Sequence, residues 1–112
     1  SQILTNLVVN SLVHGFEGRN RGSVYIEVVE IGSHAVLTYS DDGVGIAPDL
    51  IDRIYDPFFT TRRNRGGTGL GLNIVYNLVT QTLGGTIHCY SAPGKGTSFI
   101  IRIPGVALIA TD

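Results

Sequence analysis

Residues 66–75, Gly66-Gly67-Thr68-Gly69-Leu70-Gly71-Leu72-Asn73-Ile74-Val75, carry four glycines and a threonine straight into an apolar helical pattern. Leu72, Val75, Val79 and Leu83 recur at helical spacing with Leu78 beside them, and Gly84-Gly85 supplies the stop, because glycine closes a helix at little steric cost. A glycine-rich loop entering a helix presents unpaired backbone N–H groups and the positive end of a dipole, which suits phosphate or another anion. The plainer alternative is a flexible linker ahead of a core helix, and a lone Gly-x-Gly does not choose between them. Two common nucleotide motifs are excluded. A P-loop needs Lys-Ser or Lys-Thr after its last glycine, and neither pair occurs. A dinucleotide fingerprint needs a third glycine where Ile74 stands. A phosphate held here belongs to a different fold.

The 112 residues are read as one domain, long enough to bury a core. Eight Lys and Arg against nine Asp and Glu leave a net charge of −1, which argues against nucleic acid as a partner. The basic residues are uneven, since Arg62, Arg63 and Arg65 fall in one short window. Cys89 is the only cysteine, so no internal disulfide forms, and a reducing, cytoplasmic setting fits. No signal peptide or membrane-length apolar run is visible. Residue 1 already lies in a helical pattern, so the chain reads as a fragment of a longer protein, one free to carry a membrane anchor elsewhere.

Residues 2–16 are expected to form a helix with Ile3, Leu4, Leu7, Val8 and Leu12 as its apolar stripe. Asn6, Asn10 and His14 follow at i, i+4 and i+8 and share another face. A solvated face usually carries Lys and Glu, and amides are mediocre helix formers, so these residues suggest a polar site. An Asn oxygen is a suitable ligand for Mg²⁺, which takes few protein ligands beside phosphates and water. For His14 alone the alternative is a helix-end histidine satisfying a carbonyl. Val24 to Ile31 reads as a strand, with Val24, Ile26 and Val28 facing one way, and Gly32-Ser33-His34 as a hairpin turn. Ala35 to Ser40 returns and delivers Asp41-Asp42-Gly43-Val44-Gly45-Ile46. Such a sequence is often only a turn. Asp41 at a strand end is also able to accept a hydrogen bond from an amino group, as adenine recognition requires, while Gly45 admits a flat ring close to the backbone.

Ala47-Pro48-Asp49 opens a short helix through about Tyr55, which Asp56-Pro57 breaks. Beyond Phe58-Phe59, residues 60–67 hold almost no apolar anchor and read as a mobile lid. The alternative is a solvated loop with scattered charge. The lid reading puts Arg62 or Arg63 over a terminal phosphate, where a charged fork is useful. Thr86 to Ser91 and Thr97 to Ile103 read as an antiparallel pair around Ala92-Pro93-Gly94-Lys95-Gly96, and residues 105–112 as a mildly apolar tail.

Taken together these motifs resemble the ATP-binding catalytic domain of sensor histidine kinases, in the wider group that includes gyrase and the mismatch-repair ATPases. Asn6-Leu7-Val8-Val9-Asn10 resembles the family's N box. Asp41 to Ile46 resembles its first glycine box, with Asp42 where Asn is more usual. Asp56-Pro57-Phe58-Phe59 resembles the F box, Gly67-Thr68-Gly69-Leu70-Gly71-Leu72 the second glycine box, and Gly94-Lys95-Gly96-Thr97 the last. Five motifs in family order over residues 6–97 are far more specific than any one alone.

The resemblance implies an α/β (α+β) two-layer sandwich, a mixed sheet with helices packed on one face and ATP between helices and lid. It implies a strand and part of the first helix ahead of residue 1. It implies an ATP site drawn from Asn6, Asn10, His14, Asp41, Gly43, Gly45, Ile46, Phe58, Thr60, Thr61, Arg62, Gly67, Thr68, Gly69, Leu70, Gly71, Leu72 and Thr97. Within that set Asn10 would bind Mg²⁺, Asn10, Arg62 and Arg63 would position the phosphates, Asp41 would hold adenine, and Thr97 would orient Asp41 and a water. Hydrolysing relatives carry Glu four residues before the metal-binding Asn as a general base. Asn6 stands there in this chain and is unable to take a proton, so transfer to a protein histidine is favoured over hydrolysis. The implied partners are a dimerisation domain bearing that histidine and a response regulator, with a homodimer expected for the full-length protein. His14, His34 and His88 do not lie in the acceptor's context. The competing reading is a nucleotide-binding regulatory module or an anti-sigma-like kinase, whose members also carry Glu at the position of Asn6. A purely structural domain would leave the polar and glycine motifs unexplained.

Overall fold

The computed structural model describes residues 2–57, 59 and 71–105. Helix α1 (Gln2–Asn10) runs into a wider π turn (Ser11–Gly15). Strands β1 (Val24–Ile31) and β2 (His34–Asp41) form a hairpin, followed by the short α2 (Pro48–Ile51). Helix α3 (Gly71–Asn77) also ends in a π turn (Leu78–Thr82), and β3 (Thr86–Ser91) and β4 (Thr97–Pro104) close the fold. The lid residues 60–67, the tail from Val106 to Ala110, and the assigned residues Phe58, Thr60, Thr61, Arg62, Arg63, Gly67, Thr68, Gly69 and Leu70 lie outside the described residues.

The sheet order is β1-β2-β4-β3. All three pairings are antiparallel, so among the described residues the sheet is antiparallel rather than mixed. The cause is connectivity: β1–β2 and β3–β4 are hairpins, and β4 docks beside β2 running against it. Alternation along β4 buries Thr97, Phe99, Ile101 and Ile103 on one face. Phe99 pairs with Tyr39 and Ile101 with Leu37, which builds the centre of the core. Ile3 and Leu7 of α1, Leu72 and Val75 of α3 and Val79 of the π turn that follows it cover that face, giving the two-layer α+β sandwich. The helix layer lies over β2, β4 and β3. Val24, Ile26 and Val28 of β1 share its side by register but keep 40 %, 44 % and 44 % exposure at the sheet edge.

Two expectations about the helices are corrected. Leu12, expected in the apolar stripe, is 64 % exposed, while Ser11 takes the buried place at 1 %. Phe16 N–H donates to Ser11 O at 2.8 Å, the five-residue spacing of a π turn, which shifts the phase of the helix at this point. The helix expected through Tyr55 stops at Ile51 and continues as turns.

Beneath α3, burial pushes the Tyr55 phenol up, with smaller contributions from Cys89 and Tyr76. Burial, followed by the Asp41 charge, pushes the Cys89 thiol up from 9.0 to about 12. Both groups are held protonated in the fold and ionise first when it opens. Their contribution to stability is complete below the ordinary thiol value and is lost as pH rises through the raised one. The urea midpoint is expected to fall between pH about 9 and about 11, and Cys89→Ala to flatten that fall. A midpoint independent of pH over this interval would count against both burials.

Candidate functional site

A pocket opens between the π turn of α1, the loop after β2, and α3. Asp41 and Thr97 form its floor, both buried. Val44, Ile46, Leu50, Ile54, Phe59 and Leu72 give it apolar walls, and Asn10, His14 and Glu17 stand at one side. Apolar walls with a few converging polar groups are the usual make-up of a small-molecule site.

Asp41 is fixed from three directions. Its Oδ1 accepts from Gly43 N–H at 3.0 Å and from Thr97 N–H at 3.2 Å. Its Oδ2 accepts from the Ser11 hydroxyl at 2.7 Å. Ser11 Oγ in turn lies 2.8 Å from the Tyr39 hydroxyl. The Thr97 hydroxyl turns away, to Ser91 Oγ at 3.0 Å, so Thr97 orients Asp41 through its backbone. The Ser91 hydroxyl also accepts from Ile46 N–H at 2.8 Å and donates to Gly96 O at 2.7 Å, which ties the pocket wall to the β3–β4 turn.

Glycines permit this packing. A Cβ on Gly43 would sit 2.2 Å from Gly15 O, where the loop closes on the π turn through Val44 N–H donating to Gly15 O at 2.7 Å. A Cβ on Gly45 would sit 2.0 Å from Ala92 O. Asp42, exposed, accepts at Oδ1 from Ser23 N–H at 2.8 Å, and its carbonyl accepts from Arg19 at 2.7 Å.

Asn10, His14, Asp41, Gly45, Ile46, Leu72 and Thr97, all singled out from sequence, come together here. Gly43 lies behind the carboxylate rather than in the wall, and Gly71 begins α3. Asn6 is outside the lining, but its side-chain nitrogen is buried and has no hydrogen-bond partner among the described residues. A buried donor left open in this way fits an acceptor such as a phosphate oxygen. No group of three His, Cys, Asp or Glu side chains among the described residues could hold a metal ion. A cation beside Asn10 would therefore take further ligands from phosphates and water. Sequence reasoning missed Ser11, Gly15, Glu17, Val44, Ala47, Leu50, Ile54 and Phe59. Of these Ser11 left a signal, a polar residue continuing the Ile3–Leu7 stripe at i+4.

The family described as "Histidine kinase-, DNA gyrase B-, and HSP90-like ATPase" matches residues 1–107. The chain belongs to this family. It is similar to the sensor histidine kinase ZraS of Salmonella typhimurium, 42 % identical over 108 residues that make up 96 % of this chain and 22 % of ZraS. Among solved structures it is similar to the nucleotide-free catalytic domain of histidine kinase ThkA, with a TM-score of 0.74 at 31 % identity, covering 92 % of this chain and 65 % of that one. Full-length ShkA in complex with AMPPNP gives a TM-score of 0.75 at 32 % identity, covering 92 % of this chain and 20 % of that one. The chain thus spans about a fifth of the length of ZraS and shares the fold of histidine-kinase catalytic domains. No helix among the described residues is long and apolar enough to cross a membrane.

Proposed function

We propose that this chain binds Mg²⁺-ATP and serves as the catalytic domain of a sensor histidine kinase, donating the γ-phosphoryl group to a histidine on a separate dimerisation domain for relay to a response regulator. The observation that carries the reading is the Asp41 carboxylate, fixed by three donors on the floor of an apolar pocket. Asp41 accepts from the exocyclic amino group of adenine, and Val44, Ile46 and Leu72 flank the ring. Asn6 and Asn10 bind on the phosphate side, Asn6 as a donor and Asn10 as the oxygen ligand of Mg²⁺. Mg²⁺, when bound, offsets the charge of the transferring phosphoryl group. Arg62 and Arg63, with the glycine run Gly67 to Gly71, are assigned to the phosphates from sequence alone. Asn6 offers no base to activate water, so phosphoryl transfer is favoured over hydrolysis. The full-length protein is proposed to be a homodimer with this domain on the cytoplasmic side, free or attached to a membrane anchor.

Incubated with labelled Mg²⁺-ATP, the chain alone is expected to stay unlabelled, and its histidine-bearing dimerisation domain added in trans to become labelled. Asn10→Ala is expected to abolish that labelling and to weaken ATP binding by about tenfold with Mg²⁺ present but little without it. Equal losses with and without the ion would remove Asn10 as a ligand. Stable phosphate on the chain itself would overturn the kinase reading.

A further inference from the structure

Ser11 and Tyr39 are each only 1 % exposed, neither lines the pocket, and each carries a hydroxyl where an apolar side chain of similar size would fill the space. Serine has one proton to give. With the Asp41 carboxylate accepting it at 2.7 Å, Ser11 Oγ is left to accept, and the Tyr39 hydroxyl at 2.8 Å is the donor. The chain of bonds therefore runs one way, from Tyr39 through Ser11 to Asp41. Each donor in such a chain polarises the next. Burial pushes the Tyr39 phenol up, the Ser11 hydrogen bond lowers it, and the Asp41 charge raises it again. The outcome is a raised value, so the phenol keeps its proton. Ser11 continues the buried Ile3–Leu7 line of α1 and is the first residue of the π turn.

We propose that Ser11 and Tyr39 are positioning residues that set the base specificity of the pocket, by holding the Asp41 carboxylate so that its free lone pair faces the amino group of the ligand. Two backbone donors occupy Oδ1, and Ser11 occupies one direction at Oδ2. Without Ser11 the Oδ2 atom loses this anchor, and the carboxylate turns about the Oδ1 bonds. An Ala at this position would keep the apolar packing, leave the Tyr39 hydroxyl without this acceptor and lose the aim.

The inference rests on the reading of Asp41 as the reader of adenine, and the test separates the two. ATP and purine riboside triphosphate, which lacks the exocyclic amino group, are titrated calorimetrically into the parent chain, Ser11→Ala, Tyr39→Phe and Asp41→Asn. The parent is expected to prefer ATP. Ser11→Ala is expected to lower that preference about tenfold and Tyr39→Phe about threefold, through weaker ATP binding at unchanged analogue binding. A purely structural role would weaken both ligands alike, and that result overturns the inference. A preference lost in Asp41→Asn but kept in Ser11→Ala and Tyr39→Phe overturns it while leaving the adenine reading intact. If Ser11→Ala does not fold, Tyr39→Phe decides on the same criterion. A parent chain with no preference overturns the adenine reading and the inference with it.

Discussion

Asp41→Asn is expected to weaken ATP binding by about 2 kcal/mol, roughly thirtyfold, and to lower stability by about 1–3 kcal/mol. The asymmetry of the carboxylate's partners predicts this. Oδ1 takes two backbone N–H donors, so the Asn oxygen must occupy that position, and the amide NH2 falls where Oδ2 stood. Ser11 Oγ then accepts from the amide, and one hydroxyl proton of the buried Ser11–Tyr39 pair loses its acceptor, which costs stability. The ligand also loses its partner, because the amino group of adenine now meets a donor instead of a lone pair. Guanine carries an acceptor at the corresponding edge, so the preference for ATP over GTP is expected to collapse in the variant. Calorimetry on the parent showing equal affinity for the two nucleotides, or an Asn variant that binds ATP as the parent does, would remove Asp41 from the adenine site.

The strands were legible because alternation is a local signal. β1 and β3 have the expected bounds, and β2 and β4 differ by one residue at their ends. The burial of β1 was not legible. Val24, Ile26 and Val28 do share the side of Leu37 and Tyr39, but whether a helix covers that side depends on where α1 and α3 pack. The π turns were invisible to a 3.6-residue period. A 3.6-residue period puts Leu12 in the apolar stripe for that reason, although Ser11 on the Ile3–Leu7 line marks a buried polar group. In the site, Asp41 and its glycines could be found from the strand end and the turn chemistry that follows it. The hydrogen bond from Thr97 N–H could not, because it depends on the register that sets Asp41 opposite Thr97 across β2 and β4. The walls from Leu50, Ile54 and Phe59 come from the four-residue α2 and the turns after it, too short a run for a periodicity to be read. The family resemblance supplied the order of motifs, and the assignments on residues 60–70 rest on the sequence alone.

Gly96→Ala is expected to cost at least about 3 kcal/mol and to remove nucleotide binding, while Gly94→Ala costs only about 1–2 kcal/mol and leaves binding in place. The two glycines are matched in backbone conformation, with φ of 74° at Gly96 and 77° at Gly94, so the left-handed penalty is common to both. Their surroundings differ. A Cβ on Gly94 meets nothing within 4 Å. A Cβ on Gly96 would sit 2.1 Å from the carbonyl oxygen of Asp41 and 3.1 Å from Asp42 Cα. Backbone cannot swing aside as a side-chain tip does. Relief requires β2 and the β3–β4 turn to separate where Asp41 pairs with Thr97. That movement draws Thr97 N–H away from Asp41 Oδ1 and strains the Ser91 hydroxyl bond to Gly96 O. The aim of the carboxylate and the wall held through Ile46 N–H would go together. Urea denaturation and ATP titration of the two variants side by side check this. Equal stability losses would mean that the close approach at Gly96 costs nothing, and intact ATP binding in Gly96→Ala would mean that the pocket does not depend on the strand pairing behind Asp41.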